Sequence, residues 1–413
     1  MSKIRVKNFG PIKDGLLEDG EWIDIKKVTV FVGNQGSGKS TIAKLISTFA
    51  WIEKALVRGD YNKKWFERKD INRFKSQFLP YHRLGFADSK KDDTYLKPDS
   101  IVEYQGDAYH IKYEKGAMSV SEIANGGYSL PQVMYVPAER NFLTYIKDAG
   151  ELRLSEALRD FNTEYEKAKN NLKDFVLPIN NAEVEYNKQY DNLYLRGKDY
   201  KVEITEAASG FQSFVPLYLV SNFLAESVKI SGSKEKMSSK ERLRFEKGVQ
   251  EIWDNKNLTD EQRAVALSAL SSKFNKSSFI NIVEEPEQNL FPSSQWEMLQ
   301  SLLKFNNMNI GNKLILTTHS PYLISYLTLS IKAGLLNEKI QTDSLKFELE
   351  KIISLNSVIN SNDLSIYELD EKNGTIHFLE TCNGLPSDEN MLNEKLDEGN
   401  EIFAKLLEIQ KQL

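Results

Sequence analysis

The chain has 413 residues, 40% apolar and 27% charged, with a net charge of −5. That is enough to bury a large core in one elaborated domain or two lobes. No run approaches the roughly 18 apolar residues of a membrane helix, and the N-terminal MSKIRVKNFG has no hydrophobic signal core, so the sequence reads as a cytoplasmic protein with no membrane partner. Cys382 is the single cysteine, which excludes an internal disulfide and suggests no Cys-based metal site.

In chain order, Ile4 to Phe9 and Trp22 to Ile25 read as strands, with Gly10-Pro11 and Asp19-Gly20 as turns. Val28 to Val32 is a short β-branched run, readable as a buried strand. Gly33, Asn34, Gln35, Gly36, Ser37, Gly38, Lys39, Ser40 and Thr41 follow in P-loop spacing, and Ile42, Leu45, Ile46 and Phe49 then recur at helical spacing. Glycines let successive backbone N–H groups turn inward toward phosphate oxygens, and the new helix adds its positive end. Lys39 can reach β- and γ-phosphates, and the Ser40 hydroxyl is placed for Mg2+. A glycine-rich turn that binds nothing is the plain alternative; strand before and helix after favour ATP or GTP.

Trp51 to Phe78 reads as a polar, basic helical stretch. From Trp51 to Lys91 there are 11 Lys/Arg against five acids, either a solvated helix face or a contact for DNA or an acidic partner. Ile101 to Gln105 and Ala108 to Tyr113 form a hairpin, which implies an antiparallel lobe beside the nucleotide sheet. Gln132 to Val136 is a further strand, ending in Pro137-Ala138-Glu139-Arg140.

Leu154, Leu158, Phe161, Tyr165, Ala168 and Leu172 step at heptad spacing, and Ile179, Ala182, Tyr186, Tyr190 and Leu193 continue a shorter face. This predicts a stubby helical hairpin over about 151–195. Tyr200 to Ile204 is a strand, followed by Ala208-Ser209-Gly210-Phe211-Gln212 and a helix. A polar helical insertion covers about 229–276, with Thr259 and Gln262 as a capping box.

Phe279 to Val283 is a buried strand running into Glu284-Glu285-Pro286-Glu287, and Lys313 to Thr318 is another, ending at His319. Ser320 and Pro321 suit the N-cap and first turn of a helix. A last hairpin, Leu364 to Leu369 with Thr375 to Glu380, and a helix from about Glu389 close the chain. Adjacent carboxylates at a strand end suit nucleotide chemistry: one can hold Mg2+, and the other can orient or deprotonate the attacking water. A surface acidic turn is the bland reading of that pair. His319 is either a structural histidine or a γ-phosphate sensor.

GNQGSGKST, ASGFQ, IVEEPEQNLFP and LILTTHS stand in the order of Walker A, signature, Walker B and switch histidine of ATP-binding-cassette ATPases. More narrowly, EEPE with Leu290-Phe291-Pro292 and THSPYLIS resembles the OLD-type ATPases, relatives of the SMC and Rad50 heads (AAA15-type), over Met1 to about Ser330. The resemblance implies an α/β P-loop head over 1–330, with a mixed sheet flanked by helices, and a 331–413 extension carrying a hairpin and terminal helix. It implies Lys39 and Ser40 as Walker A contacts, Glu284 as the Mg2+-side acid, Glu285 as base and His319 as switch. Ser209 and Gly210, with Gln212 beside them, would cap ATP bound to a second copy, giving a homodimer or higher oligomer. Phe211 replaces the second signature glycine, and Gln132, Glu139 and Arg140 are the candidates near the Q-loop. OLD nucleases add a Toprim module with an Asp-X-Asp pair, which residues 331–413 do not contain. The resemblance therefore points to stand-alone ATPase subunits of Septu- or PARIS-type phage defence acting on a separate nuclease effector, with a RecF-like repair ATPase as the alternative.

Overall fold

The computed structural model describes residues 2–68, 70–85, 95–123, 128–146, 152–172, 175–230, 239–255, 258–259, 262–263, 266–267, 270 and 276–411. Its strands are β1 (Lys3–Phe9), β2 (Gly15–Leu16), β3 (Ile23–Asp24), β4 (Val28–Gly33), β5 (Leu96–Gln105), β6 (Tyr109–Glu114), β7 (Ala117–Glu122) and β8 (Pro131–Val136). After these come β9 (Phe175–Val176), β10 (Glu183–Asn187), β11 (Asn192–Arg196), β12 (Lys201–Glu203), β13 (Ser278–Glu284), β14 (Lys313–Thr318), β15 (Leu364–Asp370) and β16 (Thr375–Phe378).

The central sheet has the order β2-β16-β15-β4-β14-β13-β8. From β15 to β8 neighbouring strands are parallel, and β16 runs antiparallel to β15. Strands covered on both faces need apolar residues at both parities, and β4 is buried at every position. Val28, Val30 and Val32 face a core shared with the helices Glu156–Asn170, Ser209–Ile230, Pro292–Asn307 and Pro321–Lys339. Phe31 faces the other core, where the P-loop helix Lys39–Val57 lies under the antiparallel sheet β3-β1-β5-β6-β7. The fold is the expected α/β P-loop architecture with a mixed sheet, flanking helices and an antiparallel lobe. Asn281, a polar residue in the middle of β13, is buried with its amide donating to Ser221 Oγ at 3.0 Å.

Glu53 fastens the lobe to the P-loop helix. Its Oε1 accepts from the backbone N–H of Ala108 (2.7 Å) and Tyr109 (3.1 Å). A Cβ at Gly106 would lie 2.1 Å from that carboxylate, so the turn has to carry glycine.

Three expectations change. The helical hairpin over 151–195 has only its first arm, Glu156–Asn170. The second is strand: β10 and β11 pair antiparallel in a sheet of order β12-β11-β10-β9. Val184, Leu193 and Leu195 are buried between exposed or half-buried neighbours, a period of two that the helical reading missed. The extension from 331 is not separate, because β15 pairs with β4 from Leu364↔Val28 to Leu369↔Gly33. The basic stretch after Val57 is also no continuous helix but short turns, including Lys63–Phe66. Of the insertion at 229–276, the helix Ser239–Asp254 and the capping box are described. Thr259 N donates to Gln262 Oε1 at 3.0 Å, and Gln262 N to Thr259 Oγ1 at 3.2 Å. Much of the remaining insertion lies outside the described residues.

A chain ended at residue 330 should lose cooperative folding, because β4 would be left an open, fully apolar edge. A soluble 1–330 fragment with a sharp calorimetric melting transition would contradict this.

Candidate functional site

The P-loop joins β4 to its helix by a backbone that turns through φ +79° at Gly36 and +106° at Gly38, values that glycine adopts freely. Gly33 also needs the space, since a Cβ there would sit 2.7 Å from Leu369 O. Lys39 is buried, and its Nζ donates to Gly33 O (2.6 Å) and Asn34 O (2.8 Å). Burial lowers its pKa, opposed by the charges of Glu285, Glu287, Glu371 and Glu284. Four carboxylates therefore surround the loop's lysine. Glu371 follows β15, and its Oε1 accepts from Asn34 Nδ2 at 3.0 Å. Ser37 is buried, with its Oγ lacking a hydrogen-bond partner. Gln35 is exposed, Ser40 half-buried and Thr41 buried.

The strand carrying the acidic pair does not touch β4, because β14 lies between them. The strand order thus sets His319, at the end of β14, between the P-loop and the acids. Glu284 is buried. Its Oε2 accepts from Ala138 N at 3.3 Å, while its Oε1 has no hydrogen-bond partner. Lys44 Nζ is 3.8 Å from that Oε1. Ser40 precedes Lys44 by one helical turn and so shares its face. A buried carboxylate oxygen without a donor, on the face that carries Ser40, is chemically suited to a hard divalent cation such as Mg2+.

Glu285 turns the other way. Its φ of +42° is left-handed, and its side chain is one-third exposed, 3.8 Å from His319 Nδ1. Its backbone N–H donates to Thr317 O at 3.0 Å. Glu287 completes the group: its buried Oε1 accepts from Thr318 Oγ1 (2.7 Å) and His319 N (3.0 Å). Sequence reasoning placed Glu287 only behind the pair, although the third acid of EEPE was its signal.

Arg140 is fully buried and bonds only to main-chain carbonyls. Nε donates to Ser213 O (3.1 Å), Nη1 to Pro137 O (3.2 Å) and Glu284 O (2.8 Å), and Nη2 to Glu285 O (2.8 Å). Burial pushes its pKa down to about 10 against the attraction of Glu287, Glu285, Glu284 and Glu139. It joins the acid-bearing turn to the helix Ser209–Ile230.

At that helix start Ser209 is exposed and Gly210 half-buried, with a Cβ at Gly210 falling 2.9 Å from Asn289 O. Gln212 departs from expectation. It is buried, and its Nε2 holds Ile204 O (3.2 Å) and Thr205 O (2.9 Å), so it braces the preceding turn instead of facing a ligand. Ser320 and Pro321 do hold the N-cap and first-turn positions of the helix Pro321–Lys339, but Ser320 Oγ donates to Gln295 Oε1 at 2.7 Å and makes no side-chain cap bond. In the basic stretch, Arg58, Lys63 and Arg83 face Asp60, Glu122 and Glu139, and Arg68 pairs with Asp70. These four basic side chains each have an acidic partner, while Lys69, Lys90 and Lys91 lie outside the described residues.

A family model described as an AAA domain matches residues 3–212, more than half of the chain. The chain belongs to the AAA-domain family. A second model, an AAA ATPase domain, matches residues 147–324 of this AAA-domain protein, so the two take in the P-loop, the acidic turn and His319. No curated protein matches the sequence. Among solved structures, the SMC head domain from Thermotoga maritima is 12% identical with a TM-score of 0.36, over 92% of this chain and 98% of that one. An ATP-binding cassette in a dimeric post-hydrolysis state with ADP and Pi is 11% identical with a TM-score of 0.25, over 92% and 100%. At such scores the fold rests on the sheet order above and not on these likenesses. No helix among the described residues is long and apolar enough to cross a membrane.

Replacing Arg140 with Met keeps its length but removes four hydrogen bonds from a charged donor, each worth about 1.5–3 kcal/mol, although Pro137 O and Glu285 O keep backbone donors in Arg140 N and Gln288 N. The expected result is a stability loss of about 3 kcal/mol or more in urea unfolding. An unchanged midpoint and slope would show that those carbonyls find other partners.

Proposed function

We propose that this AAA-domain protein is a Mg2+-dependent, OLD-like ATPase that closes ATP between two copies of itself and gates a separate effector, a nuclease in phage defence. The observation that carries the catalytic part is the pairing of a buried Glu284 oxygen without a donor with an open Glu285 beside His319. Gly33 to Thr41 would hold the phosphates, and Ser40 and Glu284 the metal. Bound Mg2+ would supply positive charge against that of the phosphates. Glu285 is the base: its exposed carboxylate can accept a water proton, while its backbone is fixed by Thr317 and Arg140. His319, oriented through Glu287, reads the γ-phosphate.

The exposed Ser209 and the free N–H groups of its 22-residue helix suit a phosphate. The protomer's own γ-phosphate already has Lys39 and the metal, so this end serves a second copy's nucleotide. The effector and defence roles rest on the EEPE and THSPYLIS resemblance.

Lys39→Ala should abolish measurable ATP binding in calorimetry, and wild-type affinity would refute the P-loop assignment. Glu285→Gln should retain ATP while turnover drops at least about a hundredfold; equal turnover would move the base to Glu284 or Glu287. Ser209→Glu, at the exposed first residue of the helix Ser209–Ile230, should spare ATP binding but block ATP-dependent pairing. Mixing it with Lys39→Ala should partly restore hydrolysis, because one mixed site is then complete. Mixed dimers that form yet stay inactive, with no ATP-dependent cross-link between Ser209 and a second P-loop, would rule out the shared site.

A further inference from the structure

Behind the P-loop lies a cleft of about 780 Å³ that the nucleotide chemistry does not use. Its floor is β8, the edge strand of the central sheet, and its walls are the P-loop helix at Ser47, Thr48 and Trp51, the 61–82 segment, and the helix Glu156–Asn170. A volume of this size suits a small ligand. Two kinds of group dominate the lining.

One wall is aromatic. Trp51 is 43% exposed, with Phe78 at 5.7 Å and Tyr61 at 6.2 Å between ring centroids. The same cluster already holds a cation, since the Arg73 guanidinium sits 4.1 Å from the centroid of Trp65, which Tyr61 stacks upon at 4.1 Å. The facing wall is acidic. Glu156, Asp160 and Glu164 recur every fourth residue, so they share the helix face opposite the buried Leu158, Phe161 and Tyr165. Tyr81 donates its hydroxyl to Asp160 Oδ2 and fixes that carboxylate at the cleft. Glu164 is paired with Lys167 at 2.7 Å, which leaves Glu156 and Asp160 as the charges facing inward. Lys54 is the basic residue in the lining.

An independent feature lies deeper. His82, one of the lining residues, is 3% exposed, and its Nδ1 is buried without a hydrogen-bond partner. Burial, with Lys44 nearby, lowers its pKa to about 3, so the ring is neutral and does not repel a cation.

We infer that this cleft binds an organic cation, a guanidinium or alkylammonium group, with its flat or alkyl part against Trp51 and Phe78 and its charge toward Asp160 and Glu156. Aromatic faces and carboxylates both favour a cation over a neutral group of the same shape. A free amine and an arginine side chain of a polypeptide share this chemistry.

The test uses the full chain and tryptophan fluorescence, with Trp51→Phe identifying the reporting residue. The probes are agmatine, an acetylated arginine-containing tripeptide amide, and the same tripeptide with neutral citrulline in place of arginine. Saturable quenching by a guanidinium probe and none by the citrulline peptide is the expected result. Saturation by agmatine identifies a free amine as sufficient, and saturation by the arginine peptide alone identifies a polypeptide source. Asp160→Asn combined with Glu156→Gln should weaken binding at least about tenfold with the melting temperature unchanged. Equal affinity for the citrulline peptide, unchanged affinity in the double variant, or no saturation by either guanidinium probe in the millimolar range would overturn the assignment.

Discussion

The site depends on one guanidinium that touches no carboxylate. Arg140 reaches the carbonyls of Pro137, Ser213, Glu284 and Glu285 at once, and these belong to the end of β8, the Ser209–Ile230 helix and the turn after β13. A charge buried this completely is costly unless its donors are all used. Here carbonyl dipoles take four of its five N–H groups, and the surrounding glutamates compensate the charge through space. Those glutamates keep their own oxygens available: Glu284 Oε1 and Glu287 Oε2 have no donor. The fixing of the backbone is thereby separated from the chemistry of the side chains.

The same division explains the geometry of the acidic turn. Glu284 and Glu285 are adjacent but point into different surroundings, one buried and one open, because the chain turns into the left-handed region at Glu285. A non-glycine residue in that region carries strain, and the bonds from Thr317 and Arg140 hold it there.

Much of this was readable from residue order. The P-loop, the apolar runs that became β13 and β14, and the 101–113 hairpin each carry a local signature, so their elements followed from spacing alone. The errors share a different cause. Between Ile179 and Leu193 the apolar residues fit a helical face and an alternating strand about equally, and the decision came from cross-strand pairing, as in Tyr186↔Leu193, which spacing does not reveal. Gln212 looked like part of a ligand-facing motif, yet its neighbours in space are the carbonyls of Ile204 and Thr205. Glu371 gave no signal at all, since its link to Asn34 exists only once β15 is in place. Arg140 stood out in the sequence as one of three candidates near the Q-loop; that its partners are backbone carbonyls of distant segments could be learned only from the fold.

The position of β15 has a bearing on how the molecule is made. The P-loop strand, residues 28–33, is flanked by residues 313–318 on one side and 364–370 on the other. While the chain is being synthesised from its N-terminus, β4 has no lasting partner on either side until most of the protein has emerged. Long-range parallel pairing of this kind is slow and exposes apolar edges in the meantime. The nucleotide loop is thus translated well before the two strands that hold its own strand in place, and its shape waits on theirs.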